Sequence, residues 1–165
     1  MHFKKKEMKK RKLILYLDTS VIGGYYDVEF ENETKLLFED IIKGEFEILY
    51  SSLTEDELLN APLRVRELIN ELPTDNKRFI ELTEEATHLA DCYLSENVVG
   101  QTSREDCLHI AMATVYRADI LVSWNFKHIV NVNRIRKYNA VNLKYGYATI
   151  DIRSPKEIIN YEKED

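Results

Sequence analysis

Short apolar runs separated by longer segments of helical spacing form the pattern of this chain. The first run, residues 13–17, is wholly apolar or aromatic and stops abruptly at Asp18, which is typical of a buried strand. Comparable runs predict further strands at residues 46–50, 79–82, 120–123 and 147–152. Because helical segments separate these runs, we expect the strands to share one sheet.

The segments between the runs have apolar residues three to four positions apart, as helices that pack on a sheet do. They predict helices at residues 33–43, 51–60, 62–71, 83–97, 103–117, 127–136 and from Ser154-Pro155 onward. The stretch at residues 21–27 has paired glycines and predicts a loop. Strands that alternate with helices in this way predict an α/β fold, with a mostly parallel central sheet flanked by helices on both faces.

The size and composition of the chain are those of one ordinary globular domain. Its 165 residues are 44% apolar and 32% charged, and no apolar run approaches the roughly 18 residues that span a bilayer. Cys92 and Cys107 lie in predicted helices without CxxC spacing, which favours free thiols in a reducing compartment. We therefore expect a soluble, cytoplasmic protein without a membrane segment.

Charge is distributed unevenly along the chain. Residues 1–12 carry seven Lys or Arg and one Glu, whereas the remainder carries 16 Lys or Arg and 28 Asp or Glu. A basic N-terminal arm thus precedes an acidic domain at residues 13–165. The arm could contact the phosphates of a nucleic acid, or it could be a solvated terminus. The acidic domain argues against tight non-specific binding of duplex DNA but allows a small single-stranded substrate at a metal ion.

Acidic residues from separate segments stand at the edges of apolar runs. Asp18 follows the first strand directly, where open α/β sheets place their ligands, although an Asp there is also a good helix cap. Asp106 lies on the inward face of a predicted helix that Thr102 and Glu105 can cap, which leaves Asp106 without a role in starting the helix. A structural ion pair with a buried Arg or Lys is the alternative for Asp106.

The third acid belongs to a group of neighbours, Glu55, Asp56 and Glu57. A capping box of Ser52 with Glu55 leaves Glu57 beyond the first turn of its helix. A box of Thr54 with Glu57 would instead make Glu57 structural. We favour the first arrangement, in which Glu57 points along the edge of the sheet toward the end of the first strand.

Carboxylates that gather in one place need a cation. At ~4 Å two negative charges repel by about 4 kcal/mol at the dielectric near a protein surface. Oxygen ligands select Mg²⁺ or Mn²⁺ over Zn²⁺, and such an ion can hold a phosphate oxygen and lower the pKa of bound water. Asp18, Glu57 and Asp106 are therefore the candidate metal ligands, with the polar Asn125 as a candidate fourth member of the site. Phosphodiester hydrolysis is the expected reaction.

A zinc site is a weak alternative. Asp106 and His109 lie at i, i+3 on one helix, and His128 follows the strand at 120–123. No Cys/His pair in the chain has finger or protease spacing, so little supports this site. We expect His109 to be a satisfied core or boundary residue.

Four segments of the chain resemble the motifs of the PIN-domain family, and within it the VapC-like ribonuclease toxins. They are Leu15-Tyr16-Leu17-Asp18-Thr19-Ser20, Ser52 through Glu57-Leu58, Asp106-Cys107-Leu108-His109-Ile110-Ala111, and Asp119-Ile120-Leu121-Val122-Ser123-Trp124-Asn125-Phe126-Lys127-His128. The resemblance implies a three-layer PIN-like fold and a metal-dependent RNA endonuclease in which Asp18, Glu57 and Asp106 bind Mg²⁺ or Mn²⁺. It also implies a homodimer and, for toxin members, inhibition by a small antitoxin.

The chain departs from the family pattern at Asn125, where Asp is common. The amide oxygen of Asn125 can still ligate an ion or orient water, but the residue lacks the negative charge. Ser123 matches the small hydroxyl residue usual at this strand end and could hydrogen-bond an acidic ligand, or it is an ordinary strand terminus. Trp124 could stack an RNA base, or it packs in the core or at its rim.

Two other functions fit the same residues. Asp18 could be the nucleophile of a phosphoryl-transfer protein, although that chemistry usually has a second acid nearby and Ser20 is not one. A non-catalytic PIN-like RNA-binding or assembly module is the other hypothesis, and Asn125 favours it. It predicts no divalent-ion binding and no effect of Asp18→Asn.

Overall fold

A parallel sheet forms the centre of the computed structural model, which describes residues 11–97 and 103–159. Its five strands are β1 (Leu13–Leu17), β2 (Phe46–Ser51), β3 (Lys77–Ile80), β4 (Ile120–Val122) and β5 (Asp151–Arg153). They lie in the order β3-β2-β1-β4-β5, and every neighbouring pair is parallel. The carboxyl ends of β2, β1 and β4 therefore meet at one edge of the sheet.

Helices connect the strands and cover the sheet. They are α1 (Thr19–Gly24), α2 (Glu31–Ile42), α3 (Ser52–Glu57), α4 (Leu63–Arg66), α5 (Glu84–Ser95), α6 (Arg104–Val115), α7 (Val132–Lys144) and α8 (Pro155–Ile159). Two 3₁₀ turns, Leu68–Glu71 and Thr74–Asn76, lie between α4 and β3. The predicted α/β fold with a central sheet flanked by helices is confirmed.

Successive residues of β1 bury their side chains on opposite faces of the sheet. Tyr16 belongs to a core cluster with residues of α5, α6 and α7, whereas Leu15 and Leu17 belong to a second cluster with residues of α1, α2 and α8. All three side chains are fully buried. A strand buried on both faces reads as the continuous apolar run seen in the sequence, and this is why β1 was predictable.

The loop predicted at residues 21–27 is wrong for residues 21–24, which belong to α1, and correct for residues 25–27. Asp18 caps this helix by accepting a hydrogen bond from the Val21 backbone N–H. The paired glycines suggested a loop, but one of them serves close packing. A Cβ on Gly24 would lie 2.8 Å from both Cδ1 and Nε1 of Trp124, so only glycine fits against the indole.

The helix predicted at residues 127–136 begins later, at Val132, and runs to Lys144. Asn131 caps it by accepting a hydrogen bond from the Arg134 N–H at 3.2 Å. The residues between β4 and this cap form turns instead. The last strand also begins later than predicted, at Asp151 instead of residue 147.

The caps of α3 and α6 each lie one residue away from the residue predicted to cap the helix. Ser51, and not Ser52, caps α3 by accepting from the Thr54 N–H, while the Ser52 hydroxyl accepts from the Leu82 N–H. Ser103 caps α6, and the predicted cap Thr102 lies outside the described residues.

Several boundaries also differ. The helix predicted to reach residue 60 ends at Glu57, the one predicted at 62–71 divides into α4 and a 3₁₀ turn, and β3 begins at Lys77. Short elements depend on tertiary packing more than on local pattern, so their ends were the least predictable.

Most of the basic arm, residues 1–10, and the last residues, 160–165, lie outside the described residues. Arg11 of the arm forms an ion pair with Asp119 at 2.8 Å, and Asp119 also accepts a hydrogen bond from the Ile14 N–H. Within the described parts of the chain, none of the helices has the length and apolar character needed to cross a membrane. The boundary between arm and domain at residue 13 stays a prediction.

Candidate active site at the carboxyl edge of the sheet

Asp18 lies at the end of β1 and is almost fully buried, with 3% of its surface exposed. Its Oδ1 accepts hydrogen bonds from the Ser20 hydroxyl at 2.6 Å and the Val21 N–H at 3.3 Å. Burial raises the pKa of Asp18, and the nearby His109 and the hydroxyls of Ser123 and Ser20 oppose this effect. Asp18 is thus both a helix cap and a desolvated carboxylate at the predicted edge of the sheet.

The end of β4 is tied to the same place by serine hydroxyls. Ser123 is fully buried, its hydroxyl lies 3.4 Å from the Ser20 hydroxyl, and it accepts from the Asn125 N–H at 3.0 Å. The Ser20 hydroxyl donates to Asp18 and accepts from the Trp124 N–H at 2.9 Å. Ser123 is therefore connected to Asp18 through Ser20, and its predicted hydrogen bond to an acidic ligand stays a prediction.

Glu57 is the last residue of α3, and its side chain is 34% exposed. Its Oε1 lies 2.7 Å from Nε2 of His109. Partial burial acts to raise the pKa of Glu57, but the hydrogen bond and charge of His109, with the Thr19 hydroxyl, outweigh it and lower the pKa. Of the three neighbouring acids Glu55, Asp56 and Glu57, Glu57 is the one that contacts His109.

His109 is a residue of the site that the sequence analysis assigned to the core or its boundary. It is buried, with 3% of its surface exposed, and both ring nitrogens have partners, so the expectation of a satisfied histidine is correct. Its Nδ1 lies 2.7 Å from the Tyr16 hydroxyl, which lies 2.8 Å from the Ser51 hydroxyl. The i, i+3 spacing to Asp106 was the signal that could have placed His109 in the site.

Asp106 lies in the first turn of α6, three residues after its cap. Its backbone N–H donates to the Ser103 hydroxyl at 3.3 Å, so Asp106 occupies the third helical position that the sequence analysis gave to Glu105. Burial raises the pKa of Asp106, and the charge of Glu57 adds to this, while Ser103, His128 and His109 lower it. Asp106 therefore belongs to the first turn of the helix, and its carboxylate is close enough to Glu57 for the charge of Glu57 to raise its pKa.

Asn125 connects Asp106 to the turn that follows β4. Its Nδ2 lies 3.5 Å from Oδ2 of Asp106, and its Oδ1 accepts a hydrogen bond from the His128 N–H at 2.9 Å. The backbone carbonyl of Asn125 accepts from the N–H groups of Ile129 and Val130. The side-chain oxygen predicted to ligate or orient water is thus already used to shape this turn, and the catalytic role of Asn125 stays a prediction.

Trp124 is a packing residue in this structure. It is buried, its ring stacks on Phe30 with centroids 4.4 Å apart, and its Nε1–H donates to the Thr34 hydroxyl at 2.9 Å. Phe126 meets it edge-on at 6.0 Å. These contacts occupy the indole, so packing is the alternative that the structure supports over base stacking.

The three predicted ligands share one electrostatic neighbourhood around His109, which affects the pKa of Asp18, Glu57 and Asp106. Across residues 11–97 and 103–159, however, no three His, Cys, Asp or Glu side chains form a group that could hold a metal ion. The same finding leaves the zinc alternative without support. The carboxylates are engaged by hydroxyl, imidazole and amide groups instead.

The donor chemistry nevertheless fits a hard divalent ion. The acids present only oxygen ligands, and burial raises the pKa of Asp18 and Asp106, a penalty that a bound cation would relieve. Holding one ion would require these carboxylates to come closer to one another, and Glu57 can keep its Oε1 on His109 while it presents Oε2. The set of three ligands remains a prediction.

The fold is similar to that of solved structures from several bacteria. VapBC2 from Rickettsia felis, bound to a DNA fragment from its promoter, superposes with a TM-score of 0.53 at 13% identity, over 86% of this chain and 98% of that one. Mycobacterium tuberculosis VapC20, a sarcin-ricin loop cleaving toxin, superposes with a TM-score of 0.54 at 14% identity, over 83% of this chain and 98% of that one. FitAcB from Neisseria gonorrhoeae superposes with a TM-score of 0.55 at 12% identity, over 86% of this chain and 98% of that one.

These similarities confirm the predicted VapC-like, PIN-domain fold, and at such identities they show the fold alone. No protein-family model matches the sequence, and no curated protein does.

Proposed function

We propose that this chain is a metal-dependent endoribonuclease that hydrolyses RNA phosphodiester bonds and acts as the toxin of a type II toxin–antitoxin pair. The observation that carries the proposal is the presence of Asp18, Glu57 and Asp106 in one electrostatic neighbourhood at the carboxyl edge of a parallel sheet. Ligands of open α/β sheets bind at this edge. The fold shared with VapC20 and the other toxins agrees with this chemistry.

Mg²⁺ or Mn²⁺ is the proposed cofactor, with Asp18, Glu57 and Asp106 as its ligands. When bound, such an ion holds a phosphate oxygen, makes water more acidic and stabilises negative charge on the leaving oxygen. The residues around the acids would keep them in place: Ser20 holds Asp18 directly, and Ser123 does so through Ser20. We propose Asn125 as a residue that orients Asp106 through its amide.

The proposed partners follow from the same assignment. One of the similar structures is described as cleaving the sarcin-ricin loop, and another as bound to promoter DNA. For this chain we propose an RNA substrate, a separate small antitoxin chain, a homodimeric state and a cytoplasmic location.

An RNA cleavage assay with Mg²⁺, Mn²⁺ or EDTA tests the proposal. We expect cleavage that requires the divalent ion and is lost in Asp106→Asn, because the amide withdraws a charged oxygen ligand. Glu105→Gln is the matched control: it removes the same charge one residue away on the same helix, from an exposed side chain. Equal cleavage by wild type and Asp106→Asn would remove the mechanism.

A non-catalytic RNA-binding or assembly module is the second candidate. The observation that favours it is that, in the described ranges, the acids contact protein groups and do not form a three-ligand cluster. It predicts that RNA binds equally with and without divalent ions and that Asp18→Asn does not change RNA binding. The phosphoryl-transfer alternative is disfavoured, since an attacking carboxylate needs access and Asp18 is 3% exposed.

A further inference from the structure

His109 holds the Glu57 carboxylate from within the core. The Nε2 atom of His109 lies 2.7 Å from Oε1 of Glu57, and the Nδ1 atom lies 2.7 Å from the Tyr16 hydroxyl. The ring also meets the Tyr16 ring edge-on, with centroids 5.7 Å apart. With both nitrogens bonded and 3% of its surface exposed, His109 has a fixed orientation.

The Glu57 carboxylate fixes the direction of its hydrogen bond with His109. A carboxylate can only accept, so the proton facing Glu57 belongs to Nε2. In the neutral ring Nδ1 accepts from the Tyr16 O–H, and in the imidazolium Nδ1–H donates to the Tyr16 oxygen; Nε2 donates to Glu57 in both forms. The oxygen of Tyr16 can in turn accept from the Ser51 hydroxyl at 2.8 Å. The result is one chain of hydrogen bonds that ends on Glu57.

This chain of hydrogen bonds joins both ends of α3 to a single imidazole. Ser51 is the N-cap of α3, where it accepts from the Thr54 N–H, and Glu57 is the last residue of the same helix. The hydroxyl of Thr19, next to Asp18, lies 3.5 Å from Nε2 of His109 and donates to the Thr54 hydroxyl of α3 at 3.3 Å. The Glu57 carboxylate is therefore held on the side of the site where Asp18 lies.

We propose that His109 is a positioning residue for Glu57: through Nε2 it fixes the place of the Glu57 carboxylate relative to Asp18 and Asp106, and Tyr16 and Ser51 fix His109. This role rests on the proposed metal-dependent function. A side chain that orients a metal ligand in this way raises the affinity of the site, because less conformational freedom is lost on binding. His109 acts through Glu57 and does not touch the ion.

A double-mutant cycle on metal affinity tests the proposal. Mn²⁺ is titrated calorimetrically into the full chain in the absence of RNA. The proteins compared are wild type, His109→Leu, His109→Gln and Tyr16→Phe, each with Glu57 intact and each with Glu57→Gln. We expect His109→Leu to weaken Mn²⁺ binding about 10- to 100-fold, as loss of a residue that orients a ligand does. The same change should have no effect in the Glu57→Gln background, because there is no charged ligand left to position.

The other variants separate orientation from folding. His109→Gln keeps a donor for Glu57 and an acceptor for Tyr16, so it should restore most of the affinity. Tyr16→Phe retains the buried ring and loses only the hydroxyl. Thermal melting shows whether His109→Leu folds, and if it does not, Tyr16→Phe takes its place in the double-mutant cycle.

Two results would overturn the proposal, and each is distinct from failure of the proposed function. His109→Leu could weaken binding equally with and without Glu57→Gln, or Tyr16→Phe and His109→Leu could both leave the affinity unchanged. Either result removes the positioning role while the metal-dependent function stands. Failure of the wild-type chain to bind Mn²⁺ would instead remove the proposed function and the role of His109 with it.

Discussion

The amide nitrogen of Asn125 lies 3.5 Å from the carboxylate of Asp106, and the amide oxygen accepts the His128 N–H at 2.9 Å. The two hydrogen bonds set the orientation of the amide, because exchanging its nitrogen and oxygen would bring two donors together at His128. At this position the PIN-domain family, which the sequence resembles, commonly has an acid. The chain therefore has, beside Asp106, a neutral donor in place of a second negative charge.

Asn125→Asp should convert this contact from attraction to repulsion. A carboxylate at position 125 can still accept from the His128 N–H, so the turn is expected to remain, while its charge faces Asp106 without a cation. We expect a lower melting temperature than wild type in EDTA and a larger upward shift on addition of Mn²⁺, because binding to the folded state stabilises it. Equal Mn²⁺-induced shifts in the two proteins would contradict this expectation.

Asp18→Asn should stabilise the metal-free protein at neutral pH. Burial raises the pKa of Asp18 in the folded state, so keeping it ionised opposes folding at neutral pH, and this penalty fades as the pH falls through the raised pKa toward the unfolded value. Asn is also a good helix cap and can still accept from Val21.

The measurement for Asp18→Asn is the free energy of unfolding in EDTA between pH 7 and pH 4. The gain over wild type should be largest at pH 7 and shrink as the pH falls. A variant that is less stable than wild type throughout this range would show that the charge of Asp18 contributes favourably to the fold.

Gly24→Ala should destabilise the fold because the new Cβ would lie 2.8 Å from two atoms of the Trp124 indole. The stacking contact with Phe30 restricts movement of the indole, and overpacking of this kind costs about 1–3 kcal/mol. Gly23→Ala is the matched control: it has no atom within 4 Å of the added Cβ and lies in the same helix.

Urea unfolding of both glycine variants gives the comparison. Gly23→Ala should be neutral or more stable by up to about 1 kcal/mol, since Ala is the better helix former. If the two substitutions had equal effects, close packing against Trp124 would not be the reason for glycine at position 24.

Thr34→Val should leave the indole N–H of Trp124 without its acceptor. The hydroxyl of Thr34 lies 2.9 Å from Nε1, and losing the partner of a buried donor costs about 1–3 kcal/mol. Trp124 is the single tryptophan of the chain, so its fluorescence follows unfolding directly. Thr34→Ser keeps the hydroxyl and should retain most of the stability; a Thr34→Val protein as stable as Thr34→Ser would contradict the contribution of the hydrogen bond.

The amino-acid pattern was sufficient for the architecture and for the place of two acids. β1, β2 and β4 were predictable because strands buried on both faces are continuous apolar runs, and α2, α5 and α6 because long helices repeat apolar residues every three to four positions. The abrupt change from apolar run to acid marked Asp18. Helical spacing placed Asp106 in α6, but this helix is buried on nearly all sides from Cys107 to Thr114, so the predicted inward face did not single Asp106 out.

Local pattern was insufficient where a partner far along the chain decides the structure. The close approach of the Trp124 ring to Gly24 comes from a residue 100 positions later in the sequence, and the hydrogen bond from the His128 N–H to Asn125 shapes a turn that precedes α7. Sequence spacing carries no information about such contacts.

The sequence by itself determined an α/β protein with an acid at the end of its first strand and others in its helices, since periodicity and strand ends are local properties of the chain. Only the tertiary structure decided which groups those acids meet. Glu57 faces His109, 52 positions away, and Asp106 faces the amide of Asn125. The physical reason is that burial removes water as a partner, so each carboxylate must take its hydrogen bonds from whichever side chains the packed strands and helices bring to it.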